Sequence, residues 1–250
     1  MDNKVTKKRI SRHLEYDWYK YLIIIVLSIA LCGYGFYMLN RTRTYEKLDI
    51  FISCYKSNEG TLAYDFYETI KNEGDDWMRE INLSIGDYAS DSYYDAQQSG
   101  LTGDILILPK SYMDGSCYDY MWLTDEMLDY IFTPLLNETD GYDFTAFRND
   151  PNNFYTYEYN EEEGRKMLFA DGRVYGIRVD HLLKMTASNP SFVFDYKTLN
   201  PDDTQNPETE FYMVFTQSCI KLGPYGSDAN YRNLNQAFRF ARYFIGKYNQ

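Results

Sequence analysis

An unbroken apolar stretch near the amino terminus constrains the fold of this chain more than any other feature. Residues Tyr21–Leu39 include no charged side chain, and as a helix they would cross the roughly 30 Å of hydrocarbon in a bilayer. A cleaved signal peptide is the alternative, but Ala30-Leu31-Cys32 lacks a small-x-small cleavage site. Leu31 is also bulkier than the residue that precedes a lipoprotein cysteine. We therefore predict an uncleaved transmembrane helix over residues 19–40.

Basic residues on the two sides of this helix predict its orientation. Six lie before its apolar core, at Lys4, Lys7, Lys8, Arg9, Arg12 and Lys20. Three follow it closely, at Arg41, Arg43 and Lys47. Because the cytoplasmic flank of a span has the excess of Lys and Arg, we predict a cytoplasmic tail over residues 1–18 and an extracytoplasmic domain over residues 41–250. The predicted location is the cell membrane, crossed once.

The distribution of charge argues against a nucleic-acid partner. Residues 1–46 hold 4 acidic and 8 basic side chains, whereas the remainder holds 33 acidic and 17 basic ones, a net charge of −16. A body with this charge repels phosphate backbones. We therefore expect the short basic tail to set membrane topology and expect no binding to DNA or RNA.

No common catalytic or metal-binding motif occurs in the sequence. The patterns G-x-S-x-G, H-E-x-x-H, G-x-G-x-x-G and the P-loop are all absent. His181 is the one histidine of the acidic body, and we predict a structural role for it. We expect no enzyme activity, no cofactor and no metal ion. Cys54 and Cys219 lie in apolar segments, which favours buried thiols, although a disulfide among these two and Cys117 stays open.

The body alternates strand-like and helix-like segments. Lys47–Tyr55, Glu80–Ile85 and Asp104–Leu108 are apolar enough for buried strands. Apolar residues within 62–70 recur at helical spacing, and a short helix beginning near Ser90 would separate the second strand from the third. Strands connected in this way pair in parallel through right-handed crossovers. We predict an α/β fold with a parallel βαβαβ core.

The second half of the body is less regular. An Asp-Gly pair between two apolar arms is the strongest short-range signal for a β-hairpin, and it occurs within Met167–Val179. The elements predicted for this half are a helix over Met121–Phe132, a loop over Asn137–Asn160, a hairpin turning at Asp171-Gly172, strands over Phe192–Phe194 and Phe211–Leu222, and a closing helix that begins at Asp228.

The order of these elements, with DILILP after the second crossover and ADGRVYGIRVD later, resembles the type 2 extracellular solute-binding proteins of bacterial ABC importers. The family segment resembling DGxxYG stands here at Asp171–Gly176. The membrane-anchored arrangement is similar to small proteins of Gram-positive bacteria. The resemblance implies a periplasmic-binding-protein-like domain. Because only about 70 residues follow the hairpin, the second lobe of such a fold should be reduced or absent.

Candidate ligand contacts lie where the predicted strands end. Open α/β sheets bind ligands beyond the carboxyl ends of their strands, and tyrosine rings with carboxylates and hydroxyls are suited to sugars. The candidates are Tyr55, Ser57, Asp91, Tyr93, Tyr94, Ser111 and Asp180. Ordinary packing and helix capping are the alternative roles for such residues, since the chain has 27 tyrosines and 37 acidic residues.

Two hypotheses for function follow. In the first, the protein captures a small solute, such as a saccharide, and presents it to an ABC importer, so that its partners are the solute, the transporter permease and the bilayer around residues 19–40. In the second, it is a non-catalytic accessory module that has lost its ligand cleft and contacts another membrane protein. The short second half of the body motivates this alternative.

Overall fold

The computed structural model describes residues 7–54, 56–75, 77–86, 103–110, 113, 120–136, 144–156, 173–186, 188–194, 210–220 and 231–249. The chain forms two compact units, Met1–Arg43 and Thr44–Gln250.

Helix α1 (Lys7–Asn40) dominates the first unit. Its segment Glu15–Asn40 contains an 18-residue window of mean hydropathy 2.3, none of which is buried within the protein. Ser28 donates its hydroxyl hydrogen to the carbonyl of Ile24 at 2.7 Å, which pairs a polar group that lipid could not satisfy. The helix is therefore long and apolar enough to cross a membrane. Its orientation stays a prediction.

The second unit is an α/β domain built on a mixed six-stranded sheet. Its strands are β1 (Lys47–Ser53), β3 (Glu80–Gly86), β4 (Ile105–Pro109), β5 (Phe154–Thr156), β6 (Val174–Arg178) and β8 (Phe211–Phe215), and a separate pair consists of β2 (Lys56–Ser57) and β7 (Phe192–Val193). The spatial order of the large sheet is β3-β1-β4-β8-β6-β5. β1 pairs in parallel with β3 and β4, which confirms the predicted parallel pairing. The helix predicted near Ser90 lies outside the described residues. β8 runs antiparallel to β4 and β6, and β5 runs antiparallel to β6.

Helices cover one face of this sheet. They are α2 (Leu62–Asn72), α3 (Asp125–Leu136), α4 (Phe144–Asn149), α5 (Leu183–Thr186) and α6 (Arg232–Tyr248). Phe66 of α2 meets Phe240 of α6 edge to face, with 5.2 Å between ring centroids. Phe240 and Phe244 are fully buried in addition to the apolar stripe that helical spacing predicts. Because α6 packs against both β1 and α3, it buries more of its circumference than a single stripe.

The opposite face of the central strands has its own apolar cluster. Side chains on alternate positions of β4, β6 and β8 point to this face, as the two-residue period of a strand requires. The buried members of the cluster are Leu106, Leu108, Met113, Tyr120, Tyr155, Tyr175, Tyr212 and Val214. Strands that are buried on both faces account for the continuous apolar run of β4.

The predicted helix over Met121–Phe132 begins too early. The helix starts at Asp125, because Met121 and Leu123 instead donate their backbone N–H groups to Phe215 at 2.7 Å and to Val174 at 2.8 Å. These two bonds tie the chain to β8 and β6 before the helix starts. The apolar side chains of both residues are buried. They belong to an extended segment that packs into the core, although their spacing in the sequence is also typical of a helix.

Two further predictions were wrong in part. The loop predicted over Asn137–Asn160 contains α4, a 3₁₀ turn at Pro151–Asn153 and β5. The strand predicted over Phe211–Leu222 ends at Phe215, where the Thr216 hydroxyl accepts a hydrogen bond from the Ser218 N–H and begins a 3₁₀ turn. Both errors arise where side chains of Asp, Asn or Thr pair with nearby backbone.

The hairpin predicted at Asp171-Gly172 falls only partly within the described residues. Its second arm is β6, whereas Met167–Gly172 lies outside them. β6 has β5 on one side and β8 on the other, so its described residues pair with more distant segments. Cys54 and Cys219 are buried, as predicted, and Cys117 lies outside the described residues.

Candidate functional site

The carboxyl ends of four strands meet at one edge of the sheet. β1, β3 and β4 are mutually parallel, and β6 runs in the same direction because both it and β4 are antiparallel to β8. β8 therefore begins at the edge where the others end. Its first residues, Phe211 and Tyr212, stand opposite Pro109 of β4 and Arg178 of β6. Open α/β sheets bind ligands at this edge.

Five side chains from three chain segments form a connected group here. We name it the carboxyl-edge cluster, and it consists of Lys110, Arg178, Asp180, Glu210 and Tyr212. Arg178 holds Asp180 in a two-pronged ion pair, with Nε 3.0 Å from Oδ1 and Nη2 3.1 Å from Oδ2. Asp180 Oδ1 also accepts the backbone N–H of Phe211 at 3.0 Å. A side chain that follows β6 therefore fixes the start of β8.

Glu210 links the remaining members of the cluster. Its Oε2 lies 3.0 Å from Lys110 Nζ and accepts the hydroxyl of Tyr212 at 3.2 Å, and its Oε1 lies 3.5 Å from Arg178 Nη1. The hydrogen bond from Lys110 lowers the pKa of Glu210. The hydrogen bond to Asp180 raises the pKa of Arg178. Burial, followed by the charge of Glu210, raises the pKa of Tyr212. At neutral pH the cluster thus contains two cations, two carboxylates and a neutral phenol.

His181 follows Asp180 directly in the chain. Its ring stacks on Phe147 with 5.4 Å between centroids and 10° between planes. Both ring nitrogens are buried, and neither has a hydrogen-bond partner among the described residues. Burial lowers the pKa of His181, so the imidazole is neutral at pH 7. A stacked, neutral ring without a polar partner is consistent with the predicted structural role.

The predicted site residues are only partly described by the structure. Asp180 is in the carboxyl-edge cluster. Ser57 is in β2, where it pairs with Phe192 of β7, and its hydroxyl accepts the backbone N–H of Glu59 at 3.1 Å. Ser57 is therefore not a member of the cluster. The other candidates, Tyr55, Asp91, Tyr93, Tyr94 and Ser111, lie outside the described residues.

Four cluster members were missed by sequence reasoning. Arg178 precedes Asp180 by two positions, a spacing that puts both side chains on one side of an extended chain. Lys110 follows the last residue of β4 in the same way that Asp180 follows β6. Glu210 and Tyr212 could not be found, because nothing in their neighbourhood predicts that β8 inserts between β4 and β6.

Among the described residues, no group of three or more His, Cys, Asp or Glu side chains is arranged to hold a metal ion. Comparisons of the chain with models of known protein families, with curated proteins and with solved structures find no match.

Proposed function

We propose that this protein is a membrane-anchored, extracytoplasmic binding protein of the solute-binding type, which holds a small uncharged polar solute at the carboxyl edge and presents it to an ABC importer. The observation that carries the proposal is the convergence of Lys110, Arg178, Asp180 and Glu210 at the edge where parallel strands end. A parallel core with β6 returning to the same sheet supports the resemblance to type 2 solute-binding proteins. Helix α1 supports the anchor.

The charge balance of the cluster favours an uncharged solute. Its two cations and two carboxylates already neutralise one another, so an ionic solute would leave one charge of a half-buried site without a partner. A carboxylate has about four lone-pair positions. Asp180 accepts four hydrogen bonds from Arg178 and Phe211, whereas Glu210 uses three positions for its own partners. Glu210 therefore keeps about one acceptor position, on Oε1, for a solute hydroxyl, and Asp180 keeps none.

A saccharide matches these groups. One hydroxyl can donate to the free acceptor position of Glu210, while the guanidinium of Arg178 supplies donors to the oxygen of a neighbouring hydroxyl. The side chains of Glu210 and Arg178 have 29% and 24% of their surface exposed, so they are reachable without unfolding the edge. Tethering to the membrane would raise the effective concentration of a loaded binding protein near a transporter in the same bilayer.

One observation favours the alternative, a non-catalytic accessory module that contacts a membrane protein. All five cluster members pair with one another, and Asp180 also fixes the backbone of Phe211. In this alternative, the network has the purely structural role of linking β4, β6 and β8. In that case replacing its members would lower the stability of the domain without affecting the binding of any solute.

Isothermal titration with a panel of mono- and disaccharides separates the two hypotheses. The full chain is reconstituted in lipid nanodiscs, and empty nanodiscs supply the blank. We expect at least one sugar to bind and expect Glu210→Gln to weaken it about tenfold, since a hydrogen bond to a charged group contributes roughly 1.5–3 kcal/mol. Glu126→Gln, at an exposed position of α3, is the matched control and should bind as the wild type does.

The opposite result is equally informative. Heat signals indistinguishable from empty nanodiscs for every sugar, together with a specific integral-membrane partner recovered by crosslinking in native membranes, would replace the solute-binding proposal with the accessory module.

A further inference from the structure

A groove runs along the domain between α2 and α6, on the helical face of the sheet. Its volume is about 400 Å³, which is within the range of small-molecule sites. Its floor includes the apolar side chains of Phe66, Ile70 and Leu135, each exposed by 2% or less of its surface. The groove is formed by helices, whereas the carboxyl-edge cluster lies at the ends of strands, and none of the five cluster members lines the groove.

Two ion-pair groups close the ends of this groove. At one end Lys247 lies 3.1 Å from Asp65 and 3.3 Å from Glu59. At the other end Arg239 pairs with Glu73 and, at 3.0 Å, with Asp75. Each of these cations has two carboxylate partners, so neither end offers a free positive charge to a ligand.

Arg242 lies between the two ends and differs from both. Its Nε donates to the carbonyl of Ile131 at 3.3 Å, and its Nη2 donates to the carbonyl of Tyr130. Within the described residues it has no carboxylate partner, and its Nη1 makes none of these bonds. The carbonyl bonds hold the guanidinium in place without neutralising it. Burial, followed by the charge of Arg242, lowers the pKa of Arg239, so an anion beside Arg242 would relieve this repulsion.

We propose that this groove is a second ligand site, for a small organic monoanion whose carboxylate pairs with Arg242 and whose apolar body packs on the half-buried ring of Tyr243, which itself contacts Phe66. A planar carboxylate suits the fork of a fixed guanidinium. A single negative charge balances Arg242 and leaves the paired ends of the groove undisturbed. An aryl or alkyl chain removes the exposed part of the Tyr243 ring from water, which favours binding.

Two variants on α2 test the proposal. Thr69 lines the groove and is half-buried, whereas Glu68 is on the same helix, is exposed and does not line it. Thr69→Phe should fill the groove with a ring, while Glu68→Phe adds the same ring outside it. The first substitution also removes a hydrogen bond from the Thr69 hydroxyl to the Asp65 carbonyl, so the thermal midpoint of each variant is measured alongside binding.

The probes are phenylacetate, 3-phenylpropanoate and hexanoate, each compared with its primary amide. Binding to the full chain in nanodiscs is followed by saturation-transfer NMR, with empty nanodiscs subtracted. We expect at least one carboxylate to bind with a Kd of about 1 mM or tighter, and expect its amide to bind at least about tenfold more weakly because it lacks the charge. Thr69→Phe should abolish this binding and Glu68→Phe should preserve it.

Arg242→Gln tests the charge itself. A glutamine amide can still donate to the Tyr130 carbonyl but has no positive charge, so carboxylate binding should fall about tenfold or more. The proposal is overturned if none of the three acids binds, if acid and amide bind equally, or if Thr69→Phe binds as the wild type does. If Arg242→Gln does not fold, the two α2 variants decide. Saccharide binding at the carboxyl edge should be the same in Thr69→Phe and wild type, so the two proposals fail separately.

Discussion

Arg242 donates a hydrogen bond to the carbonyl oxygen of Tyr130, the group that a proline four residues later leaves without a helical donor. Pro134 lies inside α3 and has no N–H, so the helix cannot make its usual bond to Tyr130. The guanidinium of Arg242 on α6 replaces it and reaches the carbonyl of Ile131 as well. The packing of α6 beside α3 therefore supplies the hydrogen-bond donor that the proline removes.

This relationship predicts a coupling between positions 242 and 134. Arg242→Met should destabilise the body by about 1–3 kcal/mol, because a helix carbonyl loses its donor. In a Pro134→Ala background the same change should cost about 1 kcal/mol less, since the alanine N–H can pair with Tyr130. The measurement is urea unfolding of the full chain in nanodiscs, followed by intrinsic fluorescence. Equal costs in the two backgrounds would show that the Tyr130 bond does not depend on Pro134.

Gly176 in the DGxxYG segment should not accept a side chain. A Cβ at this position would lie 3.1 Å from Tyr212 Cβ and 3.1 Å from Val214 Cγ1 on the adjacent strand. Gly176→Ala should therefore destabilise the body by roughly 1–3 kcal/mol through overpacking. Gly60→Ala is the control, because a Cβ at Gly60 would meet no atom within 4 Å. The thermal midpoints of the two variants provide the comparison, and similar midpoints would contradict the packing argument.

The parallel core could be predicted because each of its parts has a local signal. The alternating Ile81, Leu83 and Ile85 of β3 and the apolar run of β4 are visible in the sequence itself, and a crossover helix between strands implies their direction. The insertion of β8 has no such signal. Strand order depends on contacts between Val214 and residues far away in the chain, such as Leu106 and Gly176. Sequence periodicity does not encode those partners.

His181→Phe should remove part of the dependence of stability on pH. Burial lowers the folded-state pKa of His181 below its ordinary value of 6.5. Between pH 6.5 and the folded-state pKa, the imidazole is protonated in the unfolded chain and neutral in the folded chain. The stability that is present above pH 6.5 is therefore lost as pH falls toward the folded-state pKa. Phenylalanine can keep the stack on Phe147 and does not titrate. Thermal midpoints at pH 7.5 and pH 5.5 should differ less in the variant than in the wild type.

The outcome that opposes this prediction is a variant whose midpoint falls by the same amount as that of the wild type between the two pH values. His181→Gln is a useful companion, because it also does not titrate but cannot stack as a ring. If it too shows a weaker pH dependence with a lower midpoint throughout, the titration and packing contributions of His181 are separated.

The site was harder to predict than the fold. Asp180 could be found because it lies two residues beyond the end of β6, and its carboxylate does lie at the predicted edge. Lys110 has the same kind of position after β4 but is a common exposed residue type, so its place in the sequence carries little information. Glu210 becomes informative only when β8 is known to start beside Pro109 and Arg178. Its role depends on topology and not on local pattern.

Glu210 should make the stability of the fold depend on pH in a more acidic range than His181 does. The hydrogen bond from Lys110 lowers its folded-state pKa below the ordinary value of 4.5. Its contribution is therefore fully present above pH 4.5 and is lost as pH falls through the folded-state value. Glu210→Gln should flatten the decline of the thermal midpoint between pH 5 and pH 3 relative to Glu126→Gln. A decline that is as steep in Glu210→Gln as in the control would show that the Lys110 contact does not stabilise the fold.

The orientation of α1 can be tested in intact cells that express the full chain. Six basic residues before the apolar core against three after it predict a cytoplasmic amino terminus. Proteinase K added outside should therefore digest the acidic body and leave an epitope tag at the amino terminus protected until the membrane is permeabilised. Mass spectrometry of the mature protein should recover peptides from before residue 19, since an uncleaved anchor retains them. A protected body would refute the extracytoplasmic location, and a mature chain that begins after residue 32 would refute the uncleaved anchor. Moving three lysines from the tail to positions after Arg43 should invert a fraction of the molecules, because the charge difference across the span determines the orientation.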